Sequence, residues 1–228
     1  MRRTNDAERS TRKFVFDYFV EHSIAPSAPE IAAGLGLPLG QVKDSLHALD
    51  EAHHLKLLEG TSRILMAFPF SAIATPFRVT REDGRRYFAN CAWDSIAFHP
   101  MLNEPVRVDS FCDRCGKAIG FRLEDGKGIR LEGPLPSVLL ALPAARWWND
   151  ITRTCANTMV FLGEEEARSG GSESNAPLEP GRITVDQVAE MSVPIYSGKL
   201  NREYDRPPAR VIQAAFRQLG LTGPYWEL

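Results

Sequence analysis

The 228-residue sequence is short of three things. It has no surplus of charge: 27 Lys and Arg stand against 29 Asp and Glu, a formal net of −2. Such a chain carries no electrostatic footprint for nucleic acid or for an acidic membrane surface. It has no long hydrophobic run. The longest uncharged apolar stretch, Ile64–Phe77, is too short for a bilayer and is interrupted by Pro69 and Pro76. It also has little cysteine, four residues in all, which excludes a disulfide scaffold. What is present is ordinary: 43% hydrophobic and 25% charged residues, enough at this length to bury a core without covalent staples. The opening residues, Met1 to Asp6, lack the apolar segment of a secretory signal. The expectation is a cytoplasmic protein of one or two domains, with no membrane contact and with reduced thiols.

The first 75 residues read as three helices and a hairpin. Phe14, Val15, Tyr18 and Phe19 recur at helical spacing. Ser27, Pro29 and Glu30 form a helix start, and Gly34 or Gly36 stops that helix. A third helix follows Pro38, with Val42, Leu46 and Leu49 inward. Leu55–Glu59 and Arg63–Phe68 are strands around Gly60-Thr61-Ser62. This order suggests a winged helix-turn-helix-like module over residues 1–76. From Phe77 onward short strands alternate with turns. Phe77–Arg81 and Arg85–Ala89 flank the turn Glu82-Asp83-Gly84. Val106–Phe111, Ile119–Leu123, Ile129–Leu131 and Ser137–Leu142 are further strands. Residues 164–181 read as a mobile loop, and Pro207-Pro208 open a last helix ended by Gly220. The fold class is therefore α+β, with a mixed or antiparallel sheet and flanking helices over residues 77–228.

A DNA-reading helix needs cations for phosphates. Residues 1–75 hold eight Lys and Arg against nine Asp and Glu. The third helix offers Gln41 and Lys43 but also Asp44, Asp50 and Glu51. The module is thus expected to pack or dimerise, with no nucleic-acid partner. His53-His54 adds no site, since neighbours on a helix face different ways.

The four cysteines are Cys91, Cys112, Cys115 and Cys155. Cys112-Asp113-Arg114-Cys115 is half of a zinc ribbon without its second pair, and it lies between strands instead of opening a helix. It reads as a tight turn. Cys91 follows a strand, with Asn90 as a suitable N-cap and Ala92–Phe98 able to be helical. At a helix start, free N–H groups and the macrodipole favour a thiolate. Asp94, three residues on, falls on the same face. A thiol and a carboxyl held together make a nucleophile with its proton carrier. On these residues alone a plain core cysteine is the better reading.

The run Cys91-Ala92-Trp93-Asp94, followed by Ser95-Ile96-Ala97-Phe98, resembles the signature of the alkylmercury (organomercurial) lyase family. Cys155, before the apolar run Met159-Val160-Phe161-Leu162, matches the second cysteine of that family, and Cys112 its turn cysteine. The resemblance implies a winged-helix-like module before a mixed-sheet catalytic part with helices. It implies protonolysis of a carbon–mercury bond, giving a hydrocarbon and mercury(II). Cys91 would attack first, Cys155 would coordinate the mercury second, and Asp94 would carry the proton to carbon. Soft thiolates select soft metals. No organic cofactor or structural metal is implied. External thiols or an acceptor protein would remove the product mercury. An apolar wall is expected around the organic group, with Trp93, Phe98, Trp147 and Trp148 as candidates, for each of which an ordinary place in the core is at least as good a reading. Cys115, residues 164–181 and the tail Asn201–Leu228 depart from the family pattern. The alternatives are a metal- or thiol-responsive winged-helix regulator and a non-catalytic soft-metal-binding protein.

Overall fold

The structure, a computed structural model, describes residues 4–124, 128–131, 136–162 and 181–228, with backbone only for 128–131. The loop expected over 164–181 lies, apart from Gly181, outside the described residues.

The N-terminal helices form where their caps dictate. Helix α1 (Asp6–His22) starts at the reciprocal Asn5–Glu8 capping box and buries Val15, Phe16 and Phe19. Helix α2 (Ala28–Leu35) starts at the Ser27–Glu30 box with Pro29 in its first turn. It stops at Gly36, whose φ of 64° suits a residue without Cβ. Helix α3 (Leu39–Glu51) turns Val42, Leu46 and Leu49 inward, as expected. Strands β1 (Lys56–Leu57), β2 (Ile64–Ala67) and β3 (Phe70–Ser71) follow as an antiparallel sheet in the order β1-β2-β3. The sequence indicates the first two; the two-residue β3 is too short to show an alternation.

Strands β4 (Arg78–Arg81) and β5 (Arg86–Phe88) make the expected hairpin, with Gly84 at φ 85° in its turn. They join β6 (Val106–Phe111), β7 (Ala118–Glu124) and β8 (Gly128–Leu131) in a sheet ordered β5-β4-β6-β7-β8. Along β6 and β7, Val106, Val108, Ile119, Phe121 and Leu123 alternate inward, the period of a half-buried strand. A third sheet is ordered β10 (Thr158–Leu162), β9 (Pro136–Leu140), β11 (Arg182–Thr184). Every described strand pair is antiparallel, which makes the protein α+β with antiparallel rather than mixed sheets.

Helix α4 (Ala92–Leu102) packs against helix α6 (Val185–Tyr196), and α6 against α7 (Ala209–Gln218). The short helix α5 (Ile151–Ala156) precedes β10. The apolar core runs unbroken past residue 76: Phe70 meets Phe98 edge-on at 4.8 Å and Tyr87 at 5.2 Å. Arg12, fully buried, ties α1 to the segment after α6 by donating to the carbonyls of Lys199 (2.7 Å), Asn201 and Arg202 (3.3 Å). Among the described residues no helix is long and apolar enough to cross a membrane.

Candidate active site

Three elements far apart in sequence meet at one buried point. The chain leaves β5 and enters α4 at Cys91, which is itself the N-cap. Asn90, expected in that role, stands one residue too early. The Cys91 sulfur accepts the backbone N–H of Asp94 at 3.5 Å, as a capping hydroxyl would. The Asn90 amide instead donates to the carbonyl of Pro69 (3.1 Å) and to Oδ2 of Asp94 (3.0 Å). Asp94 lies one turn into α4, on the face of Cys91. Helix α5, capped by Asp150, brings Cys155 to the same place from its last turn.

The carboxyl of Asp94 is held at both ends. Its Oδ1 accepts a 2.7 Å hydrogen bond from the hydroxyl of Tyr196, the last residue of α6. Its Oδ2 faces both sulfurs, 3.7 Å from Cys91 Sγ and 3.9 Å from Cys155 Sγ. The ligand atoms of Cys91, Asp94 and Cys155 lie within 4.8 Å of one another, and all three residues are buried. The structure therefore brings together the three residues singled out in the sequence.

Burial governs the protonation of this cluster. Desolvation raises the Asp94 carboxyl above its ordinary value, against the opposing hydrogen bonds from Tyr196 and Asn90 and the charge of Lys199. The hydrogen bond with Cys91 comes first in holding the Cys155 thiol well above the usual range, followed by burial and the nearby Cys91 and Asp94 charges. Burial likewise raises the Tyr196 phenol, so it remains a donor to Asp94. Both sulfurs lie within contact of Oδ2, so a proton can pass between thiol and carboxyl without crossing solvent.

The cluster lines a cavity of about 60 Å³, room for several waters at about 10–15 Å³ each. Trp93, Trp147 and Trp148 line it as expected, with Phe68 and Ile151. Trp93 is fixed by a 2.8 Å hydrogen bond from its indole N–H to Ser192. Phe98 does not line it: that ring is packed in the core against Phe70 and Tyr87. His53 and His54 correct another expectation. They lie beyond the end of α3, with His53 at φ 61°, so helical phase does not separate them, and both line the cavity. Tyr196, Lys199, Tyr204 and Arg206 also line it and were not singled out in the sequence. Tyr196 could have been flagged through α6, whose Thr184–Gln187 capping box and Val185, Val188, Met191, Ser192, Ile195 spacing are plain signals.

Cys112 and Cys115 lie in the turn between β6 and β7, as expected, with Cys112 buried and Cys115 exposed. Burial opposes the Cys112 thiolate, but the N–H groups of Cys115, Leu162 and Arg114 and the Cys115 thiol outweigh it and lower that thiol. The pair is not part of the Cys91–Asp94–Cys155 cluster, the one such group of three among the described residues.

Two thiols and a carboxyl within contact, in a largely aromatic cavity of an α+β fold, are a donor set that suits a soft metal with a proton carrier beside it. The comparisons agree. The family model described as MerB: Alkylmercury lyase matches residues 70–196, more than half of the chain. The chain belongs to the alkylmercury lyase family. An alkylmercury lyase of Staphylococcus epidermidis (strain ATCC 12228 / FDA PCI 1200) is 26% identical over 114 residues, 50% of this chain and 50% of that protein. The match thus spans about half the length of that curated relative. A solved structure, the mercury-bound form of MerB2, superposes with a TM-score of 0.62 at 18% identity, covering 88% of this chain and 92% of that one. At that identity the likeness is one of fold.

Proposed function

We propose that this chain cleaves the carbon–mercury bond of organomercurials by protonolysis, with Cys91, Cys155 and Asp94 as its catalytic residues. The observation that carries the reading is the convergence of both sulfurs on one carboxylate oxygen, Oδ2 of Asp94.

The steps follow from the contacts. The substrate enters as an organomercury cation bound to an external thiolate. Cys91 gives its proton to Asp94 Oδ2, its sulfur bonds to mercury, and the external thiolate leaves. Cys155 gives its proton to the departing external thiolate, which leaves as the thiol, and its sulfur bonds to the same mercury. Two thiolates donating to mercury weaken its bond to carbon. The pair of electrons in that bond goes to carbon, which takes the proton from Asp94 as the bond breaks. Hydrocarbon departs, and mercury(II) remains between the two sulfurs. Two external thiolates, or an acceptor protein, then displace Cys91 and Cys155. No organic cofactor enters the scheme. Burial raises the Asp94 carboxyl, which suits it to hold the proton until the carbon is ready. The aromatic walls exclude water that would otherwise solvate the thiolates.

The same reading assigns the winged-helix-like segment, residues 1–76, a scaffolding role against the catalytic part, residues 77–228. It places the protein in a thiol-reducing compartment, the cytoplasm.

The test uses the whole protein with phenylmercury and excess thiol. Benzene should be released. Cys91→Ser and Cys155→Ser should each reduce turnover at least 1,000-fold, about 4 kcal/mol of barrier. Asp94→Ala should still bind mercury and release no benzene. Stoichiometric mercury uptake without benzene from the unaltered protein would make it a binding protein and overturn the reading.

A further inference from the structure

Beside the mercury cluster, the cavity holds two cations that the proposed chemistry does not use. Lys199 is 5% exposed, and its ammonium lines the cavity. It lies over aromatic faces, 4.6 Å from the ring centre of Tyr196, 5.7 Å from Phe16, 5.8 Å from Tyr204 and 5.9 Å from Phe68. Among the described residues no hydrogen-bond acceptor reaches that ammonium and no carboxylate lies within ion-pair distance. Arg12 is buried too, and backbone carbonyls take both of its terminal nitrogens, while its Nε has no partner among the described residues. Arg206 lines the cavity too, its guanidinium 4.1 Å above the Trp148 ring centre. Among the described residues it gives one hydrogen bond, to Nδ1 of His53 at 3.2 Å, out of the five that a guanidinium can donate. Burial, then the charge of Arg206, lowers the His53 imidazole, consistent with its accepting that bond.

Asp94 is the sole aspartate or glutamate among the lining residues, and its carboxyl is engaged by Tyr196, Asn90 and the two thiols. A buried ammonium without an acceptor is costly unless something completes it. Burial drives Lys199 down to about 7, against the pull of Asp94 and with the push of Arg12 and Arg206. An incoming anion would restore its charge. A carboxylate is the anion that a planar, fixed guanidinium takes two-handed. Both cations also lie beyond residue 196, where the family match ends.

We propose that Lys199 and Arg206 form a subsite for a carboxylate brought into the cavity on the substrate, either on the organic group of the organomercurial or on the thiolate accompanying its mercury. This deepens the lyase reading and rests on it for the word substrate; the subsite itself does not need the lyase chemistry.

The experiment has two arms. The first contains no mercury: benzoate and benzamide are titrated into the protein by calorimetry, with tryptophan fluorescence as a second signal. Benzoate is expected to bind at least tenfold tighter. Arg206→Gln and Lys199→Met should each bring the two affinities within twofold, and Arg206→Lys should retain part of the preference. Circular dichroism checks that each variant is folded. Equal affinities in the unaltered protein, which depend on no variant, would overturn the subsite, as would a preference that survives both neutral substitutions. The second arm measures kcat/KM for phenylmercury and 4-carboxyphenylmercury, each with 2-mercaptoethanol or 3-mercaptopropionate. A preference between the aryl groups places the carboxylate on the organic part; one between the thiols places it on the accompanying thiolate. Turnover with no preference in either pair overturns the substrate role. Benzoate selectivity without any turnover overturns the lyase reading and leaves the subsite standing.

Discussion

Tyr196 decides which way Asp94 faces. Its 2.7 Å bond holds Oδ1 and leaves Oδ2 to the sulfurs. Removing the hydroxyl leaves a buried carboxyl oxygen unpaired, a loss of about 1–3 kcal/mol. Tyr196→Phe should therefore lower kcat roughly 5- to 150-fold. The sign of its pH effect is fixed as well. The Tyr196 bond lowers the Asp94 carboxyl, which burial raises overall, so losing it moves that carboxyl higher still. The limb of the pH–rate profile that reports the cluster should shift to higher pH, whereas a merely structural role would reduce the rate without moving the profile. At this scale the sequence was legible where chemistry is local. Cys91 and Asp94 are three residues apart and share a helical face. Tyr196 is 102 residues from Asp94, and no periodicity links them. Phe98 is the one expected wall residue that the cavity does not include. Seven residues along a helix is about 10 Å, far enough to leave the cavity for the core.

Helix α5 is the smallest element in the site and the one most dependent on its cap. Six residues make a helix that does not stand alone, and Asp150 satisfies its first turn by accepting the N–H of Arg153 at 2.9 Å. Thr154 fastens the helix back to the Trp147 carbonyl at 2.9 Å. Asp150→Ala should cost about 1 kcal/mol of stability by chemical denaturation. It should also speed alkylation of Cys155, because the helix that buries the thiol frays. Unchanged alkylation would mean that β10, not the cap, positions Cys155. The sequence marked helices where caps, turn glycines and a long apolar face coincide, as in α1, α2 and α3. It left α5 unmarked because one and a half turns show no period. It left β3 unmarked for the same reason. Helix α6 carries its signals in the Thr184–Gln187 capping box and the apolar spacing that follows it.

Across the molecule, the N-terminal helices, the segment after α6 and the cavity meet at His54. The change of composition near residue 77 is not where burial ends, because apolar packing is blind to element type. His54 is 3% exposed, lines the cavity, lies edge-on to Tyr204 at 6.2 Å, and has no partner for Nδ1 among the described residues. Burial, reinforced by Lys199, Arg12 and Arg206, lowers its imidazole from 6.5 to about 3. Between those values the unfolded chain binds a proton that the folded chain refuses, so stability falls as pH drops below 6.5. At pH 5 the loss from this one group is about 2 kcal/mol, or about 4–8 °C in Tm for a protein of this size. The raised Asp94 carboxyl works the other way, favouring the fold as it gains its proton, so the two groups partly offset each other in acid. His54→Phe keeps the volume and the edge contact with Tyr204 but cannot be protonated. The difference in Tm between pH 7 and pH 5 should shift by about 4–8 °C toward greater stability at pH 5 in that variant. Identical differences in both proteins would show that the acid response of the fold is set elsewhere.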